Sequence, residues 1–344
     1  MKLGCSNNSL VRDAIAHDST STLLRRASRE SSSWSAVSIA AVLAAATFVG
    51  GCSRNKQEAI LRANEADNLR KGDKVAAIEK LDEATRLDPD NHRIWYKLAS
   101  VYKDKEDWPK MAEALQNAIS ADERTPEDGN FANYHYERGV ALIKIAEQKK
   151  DQKARMDAYE EAKAPLTKCI EYDENLSECY HELGHVYLWT DDEQKALQYF
   201  TDAVQHDPDK VRYYPPLADL YINLFQFDNA EKVLKEAKER GKPGEKDMWG
   251  VHVLMAQLLQ EKGDQAGVVT ELESAKATAV GEEADQNIMI LYSLGIAYDG
   301  LKQTQKAIEN LKGFDVRCKG AIQKQFPDEC DNAKSLLAKL QAPQ

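Results

Sequence analysis

The chain has 344 residues, 42% of them hydrophobic, and a formal net charge of −11. Residues 1–51 carry five Lys/Arg and three Asp/Glu, which leaves −13 on the remainder; a body that acidic is excluded as a nucleic-acid binder, because phosphate attraction needs clustered Lys and Arg. Ala, Glu, Lys, Leu and Gln crowd the sequence, while period-two runs of Val, Ile and Thr between Asn-Gly or Asp-Gly turns are missing, so strand-rich classes are excluded and an all-α chain is expected.

At the N-terminus, Arg25, Arg26 and Arg29 precede an uncharged run, Trp34 to Val49, that ends in Val49-Gly50-Gly51-Cys52. Positive segment, apolar core, then small residues is the layout of a secretory signal. The last four residues resemble the lipobox of bacterial lipoproteins. That resemblance implies cleavage after residue 51, lipidation of Cys52 by a diacylglycerol thioether and an amide-linked acyl chain such as palmitate, and membrane attachment through those chains. Ser53 at the next position favours the outer membrane, facing the periplasm. The apolar run is also nearly long enough to remain as an uncleaved anchor.

Residues 52–57 read as a polar tether. From residue 58 a pattern of about 34 residues recurs. The first copy (58–91) has Leu61, Gly72-Asp73, Ala77, Leu81, Ala84 and Pro89, with Asn64, Glu65 and Asn68 in its first helix, as suits an end cap. The second (92–125) has Trp95, Leu98, Ala99, Tyr102, Leu115 and Ala118, and a loop with Pro126 and Gly129 follows. In the third (131–175), Gly139 and Ala162 are 23 apart where the fourth copy has 12, so 11 extra residues lie between its halves. Eleven residues make three helical turns, so both helices can lengthen without losing their facing sides. A protruding hairpin is expected around Glu147 to Arg155, with the basic residues Lys149, Lys150, Lys153 and Arg155 on a solvated face.

The fourth copy (177–210) sets Tyr180, Leu183, Gly184 and Tyr187 in one block and Ala196, Phe200, Ala203 and Pro208 in another. Gly184 lets a neighbouring helix come close, and Phe200 fills the gap between two crossing helices. This pattern resembles the tetratricopeptide repeat (TPR), a helix–turn–helix unit of 34 residues. Three further copies follow at 211–243, 249–282 and 288–321, and an amphipathic helix from Asp328 to Leu340 is expected to cap the last within residues 322–344. The resemblance covers 58–321 and implies an all-α solenoid of about seven repeats, stabilised by stacking of neighbours.

Cys5 precedes the cleavage site and Cys52 would be lipidated, which leaves Cys169, Cys179, Cys318 and Cys330. Three pairings are open. Cys318 with Cys330 would pin the capping helix, and Cys169, in a small core position, is either paired with Cys179 or a buried thiol.

His181-Glu182-Leu183-Gly184-His185 also reads as a zinc-peptidase motif, with His181 and His185 as metal ligands and Glu182 as base. Catalysis needs a third ligand, and Glu178 and Asp219 are the candidates in reach. Leu183 and Gly184 are already required by the repeat, so the stronger reading makes the histidines groove residues, with no metal, no cofactor and no enzymatic activity. In TPR proteins the first helix of each repeat lines a concave groove. Carried over by position, this implies a partner surface of Tyr96, Ser100, Lys103, Tyr136, Val140, His181, His185, Leu188, Arg212, Asp219, Ile222, Tyr292 and Ile296. The partner is then a protein, held as an extended peptide or a helix. The expected function is an adaptor lipoprotein of the cell envelope; a membrane-tethered cytosolic adaptor is the alternative.

Overall fold

The computed structural model describes residues 54–342, except 125–130, 243 and 280–287. The signal, Cys5 and Cys52 lie outside the described residues. The chain is an all-α helical solenoid of the TPR type: α1 (54–69), α2 (Lys74–Leu87), α3 (His92–Asp104), α4 (Trp108–Arg124), α5 (Phe131–Glu147), α6 (Gln152–Tyr172), α7 (Ser177–Trp189), α8 (Glu193–His206), a 3₁₀ turn (Val211–Tyr213) leading into α9 (Tyr214–Asn223), α10 (Phe227–Arg240), α11 (Met248–Glu261), α12 (Gln265–Thr278), α13 (Ile288–Gly300), α14 (Thr304–Asp315), α15 (Gly320–Gln325) and α16 (Pro327–Gln341). Two compact units divide the chain between Gly129 and Asn130, where the sequence implied one unbroken array. The first contains α1–α4, and the second contains α5–α16.

Within a helix pair the turn is one repeated device. The first helix ends on a residue with left-handed backbone: Glu106 (φ 56°), Asp191 (φ 59°), Phe225 (φ 58°), Gly263 (φ 76°) or Lys302 (φ 56°). The next N–H then reaches back five residues, from Asp107 to Tyr102, Asp192 to Tyr187, Gln226 to Tyr221, Asp264 to Leu259 and Gln303 to Tyr298. This closes the helix by satisfying one of its last carbonyls. An aspartate commonly opens the second helix, where the side chains of Asp73, Asp151, Asp192 and Asp264 accept backbone N–H bonds of the first turn.

The first pair departs from this device, because Asp73 N–H bonds Leu69 C=O only four residues back. Losing one residue rotates the inward face by about 100° at 3.6 residues per turn. Leu61, expected as a core position, is therefore 61% exposed, and Ala59, Ala63 and Ala66 face inward instead. The chain is helical from residue 54, so the last four residues of the expected tether belong to α1.

The third pair takes up its extra residues entirely as helix. Helices α5 and α6 have 17 and 21 residues where α7 and α8 have 13 and 14. The turn beyond them stays short, with Lys149, Lys150 and Lys153 exposed and Arg155 donating to the Lys149 carbonyl.

Each pair is closed by a small residue against a large one. A Cβ added at Gly139 would lie 2.5 Å from Leu166, one at Gly295 would lie 2.5 Å from Leu311, and one at Gly184 would collide with the Phe200 ring. Neighbouring pairs are then tied by charges about one repeat apart: Arg70 to Asp104 at 2.5 Å, Arg124 to Asp90 at 2.8 Å, Lys238 to Glu271 at 2.5 Å and Arg240 to Asp209 at 3.2 Å. Glu271 is nearly buried and also meets Nδ1 of His252 at 2.7 Å, so it joins α10, α11 and α12.

Cys169 and Cys179 are disulfide-bonded across the α6–α7 junction, with Cα atoms 6.2 Å apart, and Cys318 and Cys330 across the α14–α16 junction, at 5.8 Å. The expected C-terminal cap is two helices, α15 and α16. Cys318, Cys330, Ala333 and Leu337 pack with Ile288, Leu311 and Phe314.

Gly184→Leu should destabilise the fold by about 1–3 kcal/mol or more, because the Phe200 ring has no room to retreat in a packed core. Gly72→Ala, with nothing within 4 Å, is the control. A thermal melt followed by circular dichroism should show the first lowered and the second unchanged.

A second prediction concerns Glu271. Burial pushes its carboxyl up, but His252 and Lys238 outweigh burial and hold it below its ordinary value. A carboxyl so held contributes stability above its unfolded pKa and loses it as pH falls through the folded one. Glu271→Gln should therefore lower the urea midpoint at pH 7, and the gap to wild type should narrow below about pH 4.5.

Candidate functional site

The candidate site lies in the second unit, on the face that the first helices of successive pairs present. Its centre is α7. Leu183 and Gly184 turn into the core, and at the 3.6-residue period this leaves His181, Glu182 and His185 on the opposite side, half-buried. The two imidazoles meet edge to face, with centroids 4.6 Å apart and planes at 83°. His181 also lies 4.9 Å from the Tyr213 ring, while His185 stacks on Trp189 at 5.2 Å and stands edge-on to Phe200 at 4.9 Å. Trp189 in turn stacks on Tyr159 of α6 at 4.6 Å. The histidines are thus members of an aromatic layer that spans three successive pairs, from Tyr159 of α6 to Tyr213 before α9.

Charge is distributed around that layer. Nδ1 of His181 is buried, and its nearest polar neighbour is Oε1 of Glu182 at 3.5 Å, long for a hydrogen bond. Burial pushes the Glu182 carboxyl up, but His181, His185 and Arg212 together hold it below the usual carboxylate range. Burial also takes His185 down to about 4, with His181 acting in the same direction. Tyr136 on α5 is pushed up by burial, then by Glu182, with Arg212 acting against them. Arg212 itself is exposed, its guanidinium 5.2 Å from the Tyr213 ring centre. Tyr136, Glu182 and Arg212 come from three successive pairs and are close enough to act on one another's ionisation.

The proposed metal ligands do not assemble. Glu178 accepts from Lys210 at 2.5 Å, and Asp219 lies 3.5 Å from the Asn223 amide. Among the described residues no three His, Cys, Asp or Glu side chains are placed to hold one metal ion. Both imidazoles pack against aromatic rings, His185 stacked on Trp189 and His181 tilted against Tyr213.

Other expected groove residues are placed as follows. Val140, Leu188 and Ile296 are half-buried, and Ile222 is buried. Tyr292 is engaged by the chain itself: its hydroxyl accepts from Asn332 of α16 at 2.6 Å and its ring lies 5.1 Å from Phe314. Tyr96, Ser100 and Lys103 belong to α3 of the first unit, where the Ser100 hydroxyl turns back to the Tyr96 carbonyl. The sequence pattern did not single out Trp189 or Tyr213, which sit at positions where the repeat sets no residue type. Nor did it flag His135 and Arg138, which replace the aromatic and Leu that the fourth copy has at Tyr180 and Leu183. His135 is buried, stacked 5.4 Å from Tyr172, and held at about 4 by burial.

Residues 180–284 match the family described as the Tetratricopeptide repeat protein 21 forth ARM domain. A tetratricopeptide repeat protein from Parabacteroides merdae superposes with a TM-score of 0.50 and 15% identity, over 83% of this chain and 100% of that one. The fold is that of a TPR protein. PilF of Pseudomonas aeruginosa is similar over 67% of this chain and 97% of its own, with TM-score 0.49 and 16% identity. YrrB, described as a TPR protein with an unusual peptide-binding site, is similar over 63% and 97%, with TM-score 0.45 and 21% identity. Among the described residues no helix is long and apolar enough to cross a membrane; the run Trp34 to Val49 lies outside them.

Because burial holds His185 neutral, its Cε1 resonance should not move between pH 8 and pH 6 and should titrate near 4. A histidine-selective NMR titration, with His185→Gln to assign the signal, checks this; a midpoint near 6.5 would contradict the packing described.

Proposed function

We propose that the chain is a non-enzymatic scaffold that receives a segment of a protein partner along the first-helix face of its second unit. The carrying observation is the convergence of Tyr136, His181, Glu182, His185 and Arg212 from three pairs onto one half-open face. Aromatic, imidazole and charged groups there are only partly covered, whereas equivalent side chains on the opposite side of each helix are core. Such a mixture suits an extended peptide or the face of a helix. Solenoid repeats position a row of side chains rigidly, so the partner and not the scaffold meets most of the ordering cost.

The same reading places the scaffold at the cell envelope, held by lipid on Cys52 and facing the periplasm from the outer membrane. The two disulfides support it, since such bonds persist in oxidising compartments. A cytosolic adaptor would have to keep them against a reducing pool.

Both halves are open to test. Partners captured from crosslinked envelopes by the wild-type chain should be lost with Tyr136→Ala and with His181→Ala. Retention of every partner by both variants would overturn the groove. Labelling with a radioactive fatty acid should mark the wild-type chain and leave Cys52→Ala unmarked, and equal labelling would overturn the anchor.

A further inference from the structure

The half-buried acids of the second unit fall into two groups. Glu271 receives Lys238 and His252, and Glu178 receives Lys210. Among the described residues Glu182, like Asp202 and Asp219, has no Lys or Arg within ion-pairing distance; the His181 imidazole lies 3.5 Å from Glu182, and His185, Arg212 and Tyr136 are near enough to interact with it electrostatically. Its side chain keeps 21% of its surface open, so the carboxylate can be reached from outside. The two imidazoles and Arg212 favour its ionised form, which leaves a charged, partly open carboxylate with no cation bound directly to it.

The surroundings specify what could arrive. The rings of His181, His185, Trp189 and Tyr213 form a connected aromatic layer beside the carboxylate. Aromatic faces attract cations, and a planar guanidinium both stacks on them and binds a carboxylate through two parallel N–H bonds. A Lys ammonium offers neither the plane nor the fork. Arg212 demonstrates the first mode within the chain, its guanidinium lying over the Tyr213 ring.

We infer that Glu182 is the receptor for a basic side chain of the partner segment, an arginine in preference to a lysine, seated between the carboxylate and the half-buried His181 and His185 rings. This rests on the groove reading above and adds the partner's chemistry to it. Arg212 is the resident like charge, so it sets a threshold that an incoming cation must overcome.

The test uses the full-length chain and ethylguanidinium chloride as the probe, read by the histidine Cε1 resonances. Saturable shifts of His181 and His185 are expected, with His206 and His252 unmoved and equal sodium chloride without effect. Ethylammonium should bind more weakly. Glu182→Gln keeps the shape and removes the charge, and should weaken the probe about tenfold or more, as for loss of a charge-assisted hydrogen bond. Arg212→Ala should bind the probe more tightly than wild type. Equal binding by Glu182→Gln, or no saturable shift in either wild type or Arg212→Ala, would overturn the inference. That failure is distinct from failure of the groove itself: capture of a partner that depends on Tyr136 and His181, with no response to the probe, would leave the groove standing without this subsite.

Discussion

Close approach of two helices, made possible by a small residue facing a large one, is the constraint from which the rest follows. Gly184 against Phe200, Gly139 against Leu166 and Gly295 against Leu311 are the same contact in three pairs. Three further pairs put Ala99, Ala218 and Ala256 in the first place, all buried. With the first helix of each pair pinned on this side, its far side is left facing outward. The candidate face is therefore a consequence of how the core closes: Leu183 and Gly184 inward leave His181, Glu182 and His185 outward on a 3.6-residue period.

The same constraint explains how the third pair tolerates its insertion. Eleven residues add three turns, so Gly139 and Leu166 still meet although the helices around them are 17 and 21 residues long. An insertion far from a whole number of turns would have rotated one helix against the other. The first pair shows the opposite case, since a turn shorter by one residue rotates α1 and brings Ala59, Ala63 and Ala66 inward in place of Leu61. Both results express one rule: the phase of a helix is fixed where it meets its partner, and every side chain along it follows.

Electrostatics divides between structure and site. Most acids near the repeat junctions have a Lys or Arg about one repeat away, as Asp104 has Arg70 and Glu271 has Lys238. These pairs fasten neighbours together in a chain whose net charge of −11 would otherwise favour separation. Glu182 is outside that scheme, beside an aromatic layer, with His181 at 3.5 Å and His185 and Arg212 acting on it from further away. His185, held neutral by burial, acts there as an aromatic surface and not as a charge. The motif that resembled a zinc site is thus a row of helix positions left free by the repeat and filled with rings and one carboxylate.

The helical class, the pairing of helices and the position of the small-against-large contact were legible in the sequence, because each depends on residue types at fixed short spacings. Gly184 and Phe200 could be read this way since a helix repeats its geometry every few residues; the aspartate caps emerged only with the backbone of each turn. Three matters only the tertiary structure decided. The division of the array after Gly129 depends on packing between distant segments. The use of Tyr292 by Asn332 of α16 depends on where a C-terminal helix 40 residues away comes to rest. That Glu182 has no direct Lys or Arg partner depends on Glu178 taking Lys210 at the far end of the same repeat, while the Arg212 guanidinium lies over Tyr213. Spacing along one helix determines which residues share a face, but which of them finds a partner is set by neighbours that the spacing does not contain.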